Sequence, residues 1–270
     1  MTINVKAEDL GVSYGDTRIW KGINLEISEP GLVCILGPNG VGKSTFMYCI
    51  NKILEPTEGR VLIDGMDVAD MSFKEIAKKI AYVPQSSGET FAMTVMDTVL
   101  MGRYPHSGYA VTKEDIDIAA DCLVKMHIDD HAMSMFNELS AGQHQRVMVA
   151  RGLAQEPELL MLDEPTSNLD IYHQIYTMRL LRDIAHRRGI IVLVICHDLN
   201  VAARFSDRMI MFSKGEIYAD GKPEDVITPD IIHDVYRVKA DVVKVLDRPY
   251  VIYYAEEEDD STLHQEIATD

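Results

Sequence analysis

Leu32-Val33-Cys34-Ile35-Leu36-Gly37-Pro38-Asn39-Gly40-Val41-Gly42-Lys43-Ser44-Thr45 is the stretch on which the reading of this chain turns. A continuous apolar run containing β-branched residues, followed at once by a glycine-rich loop, reads as a strand buried on both faces. The loop matches GxxxxGK[ST], the P-loop pattern, and lies between a strand and a helix as that motif requires. Its glycines let the backbone bend until successive amide hydrogens face phosphate oxygens, and the helix beginning near Lys43 adds its positive end. Lys43 is suited to neutralise β- and γ-phosphates, and the Ser44 hydroxyl to coordinate Mg²⁺. Gly37, Pro38, Asn39, Gly40, Val41, Gly42, Lys43, Ser44 and Thr45 are therefore the expected nucleotide-binding residues.

On either side of this stretch, residues 3–30 read as short strands broken by turns, with alternation in Ile3-Asn4-Val5-Lys6-Ala7 and a turn at Tyr14-Gly15-Asp16. Residues 45–53 fit a helix closed by Pro56. Strand patterns recur at Val61-Leu62-Ile63 and Ile80-Ala81-Tyr82-Val83. From residue 86 to about 157 the apolar spacing becomes helical, in 94–101 and 116–126, around a loop at 104–109. Strands return at Leu159-Leu160-Met161-Leu162, at 190–195 and at 208–212. Strands alternating with helices give an α/β fold with a parallel sheet and a helical insertion between two of its strands.

A second constellation narrows the chemistry. In Leu159-Leu160-Met161-Leu162-Asp163-Glu164-Pro165 an apolar strand ends in two acids. Asp163 then sits at the sheet edge, where it can hold Mg²⁺ through water. Glu164, one residue further, can orient and activate an attacking water. Taken alone, two acids before a proline also describe a solvated strand end; the P-loop beside them makes the nucleotide reading the stronger.

Leu139-Ser140-Ala141-Gly142-Gln143, directly before a helix, resembles the LSGGQ signature of ATP-binding cassette (ABC) proteins, with Ala141 where that family has glycine. The resemblance covers residues 3–240. It implies a RecA-like P-loop NTPase core sheet with an N-terminal antiparallel β subdomain and an inserted α-helical subdomain (about 86–157), residues 1–240 forming the ATP-binding domain and 241–270 a C-terminal extension. It implies further that Ser140, Ala141, Gly142 and Gln143 bind ATP held by a partner subunit, so that two chains form a homodimer around two ATPs. By the same resemblance Tyr14 stacks on adenine, Gln85 is the Q-loop residue touching Mg²⁺ and water, Asp170 crosses the dimer interface, and His197 is the switch histidine on the γ-phosphate. Glu164, His197, Lys43 and Gln85 are the catalytic set, and Ser44, Gln85 and Asp163 the Mg²⁺ set, Asp163 acting through water.

Composition restricts the setting. A net charge of −17 argues against binding a nucleic-acid backbone, which needs clustered Lys and Arg. Seven acidic residues and no Lys or Arg fall within 256–270, which reads as a solvated C-terminus. Cys34, Cys49, Cys122 and Cys196 are widely spaced without a CxxC pair, so buried free thiols are expected rather than disulfides or zinc. Met1-Thr2-Ile3-Asn4-Val5-Lys6 lacks a signal-peptide pattern, and no apolar stretch approaches the ~20 residues of a membrane span. A peripheral subunit on the cytoplasmic face of a membrane is expected, working under a permease dimer and, indirectly, an extracytoplasmic substrate-binding protein.

Finer resemblance, to the ATPases of iron–siderophore, haem and cobalamin importers, is carried by Gly102-Arg103-Tyr104-Pro105-His106-Ser107-Gly108, Leu169-Asp170-Ile171-Tyr172-His173-Gln174 and His197-Asp198-Leu199-Asn200-Val201-Ala202-Ala203-Arg204, with Thr228-Pro229 and Val235-Tyr236 in agreement. An importer subfamily for zinc or manganese, and a soluble ABC ATPase acting on nucleic acid or ribosomes, are the alternatives.

Overall fold

The computed structural model describes residues 2–85, 92–106 and 110–254. The start of the expected helical insertion, Ser107-Gly108 and the acidic residues beyond 255 lie outside the described residues.

Strands β1 (Val5–Tyr14) and β2 (Thr17–Ile27) form an antiparallel hairpin across Gly15-Asp16. They are longer than the short strands expected. The register shifts between Ala7 and Leu10 and again between Leu10 and Val12, and these bulges interrupt the period of two that would have announced one long strand. Next come β3 (Gly31–Leu36), α1 (Lys43–Ile50), β4 (Glu58–Ile63), β5 (Met66–Asp67), α2 (Phe73–Lys79) and β6 (Ile80–Val83). Helix α1 starts earlier than residue 45 because Gly42, at φ 98°, turns the chain straight into it. Helices α3 (Val95–Leu100), α4 (Lys113–Lys125) and α5 (Ala141–Ala154) precede β7 (Leu159–Asp163). The chain continues through α6 (Ile171–Arg188), β8 (Ile191–Ile195), α7 (Leu199–Phe205), β9 (Arg208–Ser213), β10 (Glu216–Gly221), α8 (Pro223–Val226) and α9 (Pro229–Tyr236), and closes with β11 (Ala240–Val245) and β12 (Arg248–Tyr253).

The central sheet runs β10-β9-β3-β8-β7-β6; its strands are parallel except β10, which pairs antiparallel with β9. A second, antiparallel sheet runs β2-β1-β4-β5. Alternating residues of the central strands feed two separate cores. Leu32, Cys34, Leu36, Leu160, Leu162, Val192 and Val194 face α5, α6 and α7. Val33, Ile35, Met161, Leu193 and Ile195 face α1 and the antiparallel sheet. Both faces being covered explains why these strands read as unbroken apolar runs. All four cysteines are free and buried, and burial pushes the Cys122 thiol up to about 11 and those of Cys49 and Cys196 to about 12.

The closing hairpin turns at Leu246-Asp247, since Val245 pairs with Arg248. Both turn residues are left-handed, at φ 49° and 61°, the geometry that matches the twist of a two-residue hairpin. Pro249 fits inside β12 because a two-stranded ribbon has only edge strands.

Much of the string Gly102-Arg103-Tyr104-Pro105-His106 is fixed by packing. A side chain at Gly102 would meet the Arg151 carbonyl at 2.3 Å. The buried Arg103 guanidinium donates to Asp115 (2.9 Å), the Ala154 carbonyl (2.6 Å) and Glu156 (2.9 Å), tying α4 to the end of α5. Removing one member of a buried pair strands the other charge. Arg103→Met is therefore expected to cost about 3 kcal/mol of stability, measured as a lower midpoint in urea unfolding; an unchanged midpoint would contradict this role.

Candidate active site

Parallel register brings three strand ends level. Ile195 of β8 pairs with Ile35 of β3 on one side and with Asp163 of β7 on the other. The loop after β3, the acids ending β7 and His197 after β8 therefore open onto one edge of the sheet. There they enclose a cleft of 570 Å³ lined by Ile19, Asn39, Gly40, Gly42, Lys43, Ser44, Thr45, Gln85, Glu164 and His197. That volume falls within the ~300–1,000 Å³ of small-molecule sites.

The loop is shaped by left-handed glycines. Gly37 (φ 138°) lies so close to β9 that a side chain would meet the Phe212 carbonyl at 2.2 Å, and at Gly42 (φ 98°) one would meet Trp20 Nε1 at 2.3 Å. Both must be glycine for conformation and for space. Lys43 bends back into its own loop, its ammonium donating to the carbonyls of Gly37 (2.8 Å) and Pro38 (2.9 Å). It is 7% exposed, and no carboxylate forms an ion pair with it among the described residues. Burial lowers its pKa from the ordinary lysine value, with Glu164 and Asp163 acting in the opposite sense. A buried cation resting on neutral carbonyls is a site built for an anion.

Asp163 is buried, and burial raises its pKa above the ordinary aspartate value; the neighbouring Glu164 adds to this, while hydrogen bonds from Ser44 and Tyr82 act against it. Hydroxyl, carboxylate and amide oxygens from Ser44, Asp163 and Gln85 are the hard donors that suit Mg²⁺, which keeps several waters and takes substrate phosphates as ligands. These residues fit that ion.

Glu164 follows with φ 49°, a conformation that costs a non-glycine residue about 1–3 kcal/mol and is found at sites where side chains must be aimed. Its backbone nitrogen donates to the Ile195 carbonyl (3.2 Å). Its carboxylate is held from two sides, by Gln85 Nε2 (2.7 Å) and by His197 Nε2. Gln85, Glu164 and His197 thus form one hydrogen-bonded row across the cleft mouth.

Other expected site residues lie elsewhere. Tyr14 is half exposed at the end of β1 and does not line the cleft. Pro38 is outside the lining, and Val41 packs against the core beneath the loop. Ser140, Ala141, Gly142 and Gln143 open α5, with Ser140 and Gln143 in a reciprocal capping box, and none of the four lines the cleft. Ser140 and Ala141 are exposed, while Gly142 sits against the 168–169 loop, where a side chain would be 3.3 Å from the Asn168 carbonyl. Asp170 caps α6, accepting from the His173 nitrogen (2.8 Å), and its side chain is 68% exposed. The signature residues and Asp170 therefore share one surface, apart from the chain's own P-loop.

Sequence reasoning missed Ile19, Trp20 and Tyr82. Ile19 and Trp20 belong to an ordinary alternating strand, and Tyr82 was read only as part of β6; its hydroxyl, 3.4 Å from Asp163, needed the register of β6 against β7.

The ABC transporter family model matches residues 20–167. An uncharacterised ABC transporter ATP-binding protein of Methanocaldococcus jannaschii is 44% identical over 240 residues, covering 89% of this chain and 94% of that protein. The iron(3+)-hydroxamate import ATP-binding protein FhuC of Bacillus subtilis is 38% identical over 242 residues, covering 89% and 90%. Among solved structures, a dimeric ATP-binding cassette in a post-hydrolysis state with ADP and Pi matches with a TM-score of 0.73 at 34% identity, covering 81% of this chain and 98% of that one.

The raised pKa of Asp163 has a consequence for stability. The folded state holds this proton more tightly than the unfolded chain, so ionising Asp163 weakens the fold as pH rises above about 4. Nucleotide-free Asp163→Asn is expected to melt above the wild type at pH 7, with the gap closing as pH falls toward 4. A gap that stays constant with pH would show that burial of the charge is not its origin.

Proposed function

The chain belongs to the ABC transporter family and is one of its ATP-binding, ATP-hydrolysing subunits, and on that premise we propose that it powers import of a metal chelate, such as an iron–siderophore, haem or cobalamin, through a separate permease. The support for cargo is the likeness to the iron(3+)-hydroxamate import protein over nearly the whole chain, together with the strings around Arg103, Asp170 and His197. No helix among the described residues is long and apolar enough to cross a membrane. This fits a peripheral subunit at the cytoplasmic face, paired with a permease dimer and served by an extracytoplasmic substrate-binding protein. Residues 1–240 are taken as the ATP-binding domain, with the helices between β6 and β7 as its permease-facing lobe and 241–270 as an extension.

The single observation carrying the mechanism is the row Gln85–Glu164–His197 at the mouth of a loop whose buried lysine rests on backbone carbonyls. ATP phosphates displace the Gly37 and Pro38 carbonyls from Lys43, which gains a charge-assisted partner in their place. Tyr14, half exposed at the end of β1, offers its ring to the adenine. Ser44 and Gln85, with Asp163 acting through water, would hold Mg²⁺, which would neutralise charge on the phosphate oxygens. Glu164 accepts the proton of the attacking water, kept aimed by Gln85 and by His197, which also hydrogen-bonds the γ-phosphate. Ser140 to Gln143 do not line their own cleft. A second copy, arranged head to tail, supplies them to close each ATP site, and Asp170 crosses beside them.

Glu164→Gln is expected to cut turnover by roughly 10²–10⁴-fold, the usual worth of a general base, while ATP still drives dimerisation in light scattering. Wild-type hydrolysis in this variant would remove Glu164 from that role. For the cargo, the ATPase with its permease in proteoliposomes is expected to be stimulated by a binding protein loaded with a ferric chelate or corrinoid and not by one loaded with zinc or manganese; the reverse pattern would overturn the chelate assignment.

A further inference from the structure

His197 lies in a short loop between two elements of unequal firmness. Before it, β8 is locked in the sheet, and the Cys196 nitrogen donates to the Ile35 carbonyl (3.1 Å). After it comes α7, only Leu199–Phe205, too short to hold its place by its own hydrogen bonds. Asp198 caps this helix, accepting from the nitrogens of Asn200 (2.8 Å) and Val201 (3.0 Å). The capping residue is thus the immediate neighbour of His197, so any shift of α7 is passed directly to the imidazole.

α7 packs Leu199, Val201, Ala202 and Ala203 into the core, and on its outer side it is clamped by the closing hairpin. The Asn200 side chain reads the backbone of Val251 in β12 as a paired strand would. Its Oδ1 accepts from the Val251 nitrogen (2.7 Å) and its Nδ2 donates to the Val251 carbonyl (3.2 Å). Val251 is 2% exposed, so its backbone groups have no water to fall back on. At the other end of α7, Arg248 donates to the Ser206 carbonyl (3.0 Å). Ahead of the hairpin, Tyr236 at the end of α9 hydrogen-bonds the backbone of Gly37 in the phosphate loop. A two-stranded ribbon is marginal by itself. Here it is docked on α7, the helix that follows the His197 loop.

We propose that the β11–β12 hairpin is a brace that sets the reach of His197, with Asn200 as the positioning residue coupling Val251 to the switch loop. The proposal rests on the role given to His197 above. Asn200 touches neither the cleft nor Glu164 and acts only through the placement of α7. Small displacements of a catalytic group carry large rate penalties, a 1 Å error costing up to about 10²-fold. The signature of Asn200 should therefore be a loss in kcat without a loss in nucleotide affinity.

The test is a double-mutant cycle on the full chain, read by single-turnover ATP hydrolysis so that residual rates stay measurable. Asn200→Ala is expected to slow hydrolysis about tenfold, with the Kd for a non-hydrolysable ATP analogue unchanged within about twofold. Placed on His197→Ala it is expected to add no further loss. Asn200→Asp, which keeps the acceptor for the Val251 nitrogen, is expected to recover part of the rate on the wild-type background. It also provides the cycle if the alanine variant does not fold. A wild-type rate in Asn200→Ala, or a loss that multiplies undiminished onto His197→Ala, overturns the brace. A wild-type rate in His197→Ala itself would instead overturn the role of the histidine on which the brace depends.

Discussion

The parallel register of β3, β8 and β7 is the constraint on which the rest of the structure depends. With Ile35, Ile195 and Asp163 side by side, the loops that leave these strands have to emerge together. Ligands of open α/β sheets gather beyond the carboxyl ends of the strands for this reason. A slip of β7 by one residue would turn Asp163 to the opposite face of the sheet and take Glu164 away from Gln85 and His197. The register is in turn protected by burial on both faces, because each alternate residue belongs to one of two distinct cores.

On that frame the site is assembled from tensions that nucleotide would relieve. Lys43 is a buried cation resting on the Gly37 and Pro38 carbonyls, Asp163 a buried acid with a raised pKa, and Glu164 a residue in a left-handed conformation. Each carries a cost in the fold and is matched to a phosphate, a metal ion or a water. Ser140, Ala141 and Asp170 lie on a surface apart from the cleft, as the proposed head-to-tail pairing of two copies requires.

The sequence disclosed the parts of this arrangement that are contiguous. The P-loop could be read because its strand, glycines, lysine and helix follow one another without interruption, and the acids ending β7 because they close an apolar run. His197 and Gln85 were placed only through resemblance, since a single polar residue at a strand end carries no pattern. What stayed illegible depends on contacts between distant segments. The bulged register of β1 concealed a ten-residue strand as several short ones. The packing of Trp20 against Gly42, the bond from Tyr82 to Asp163, and the clamp of Asn200 on Val251 join residues 22 to 81 positions apart, and nothing local marks them. The turn at Leu246-Asp247 has no local mark, because neither residue is the glycine or asparagine that usually signals such a turn.

A composite ATP site shared head to tail by two copies can be trapped by a disulfide between Asn39→Cys in the phosphate loop and Ser140→Cys at the start of α5, in a Glu164→Gln background lacking the four native cysteines. With each cysteine on a different copy, mixing the two with ATP is expected to give a crosslinked dimer that ADP does not support. Crosslinking that is indifferent to nucleotide, or none at all in a mixture that binds ATP, would contradict it.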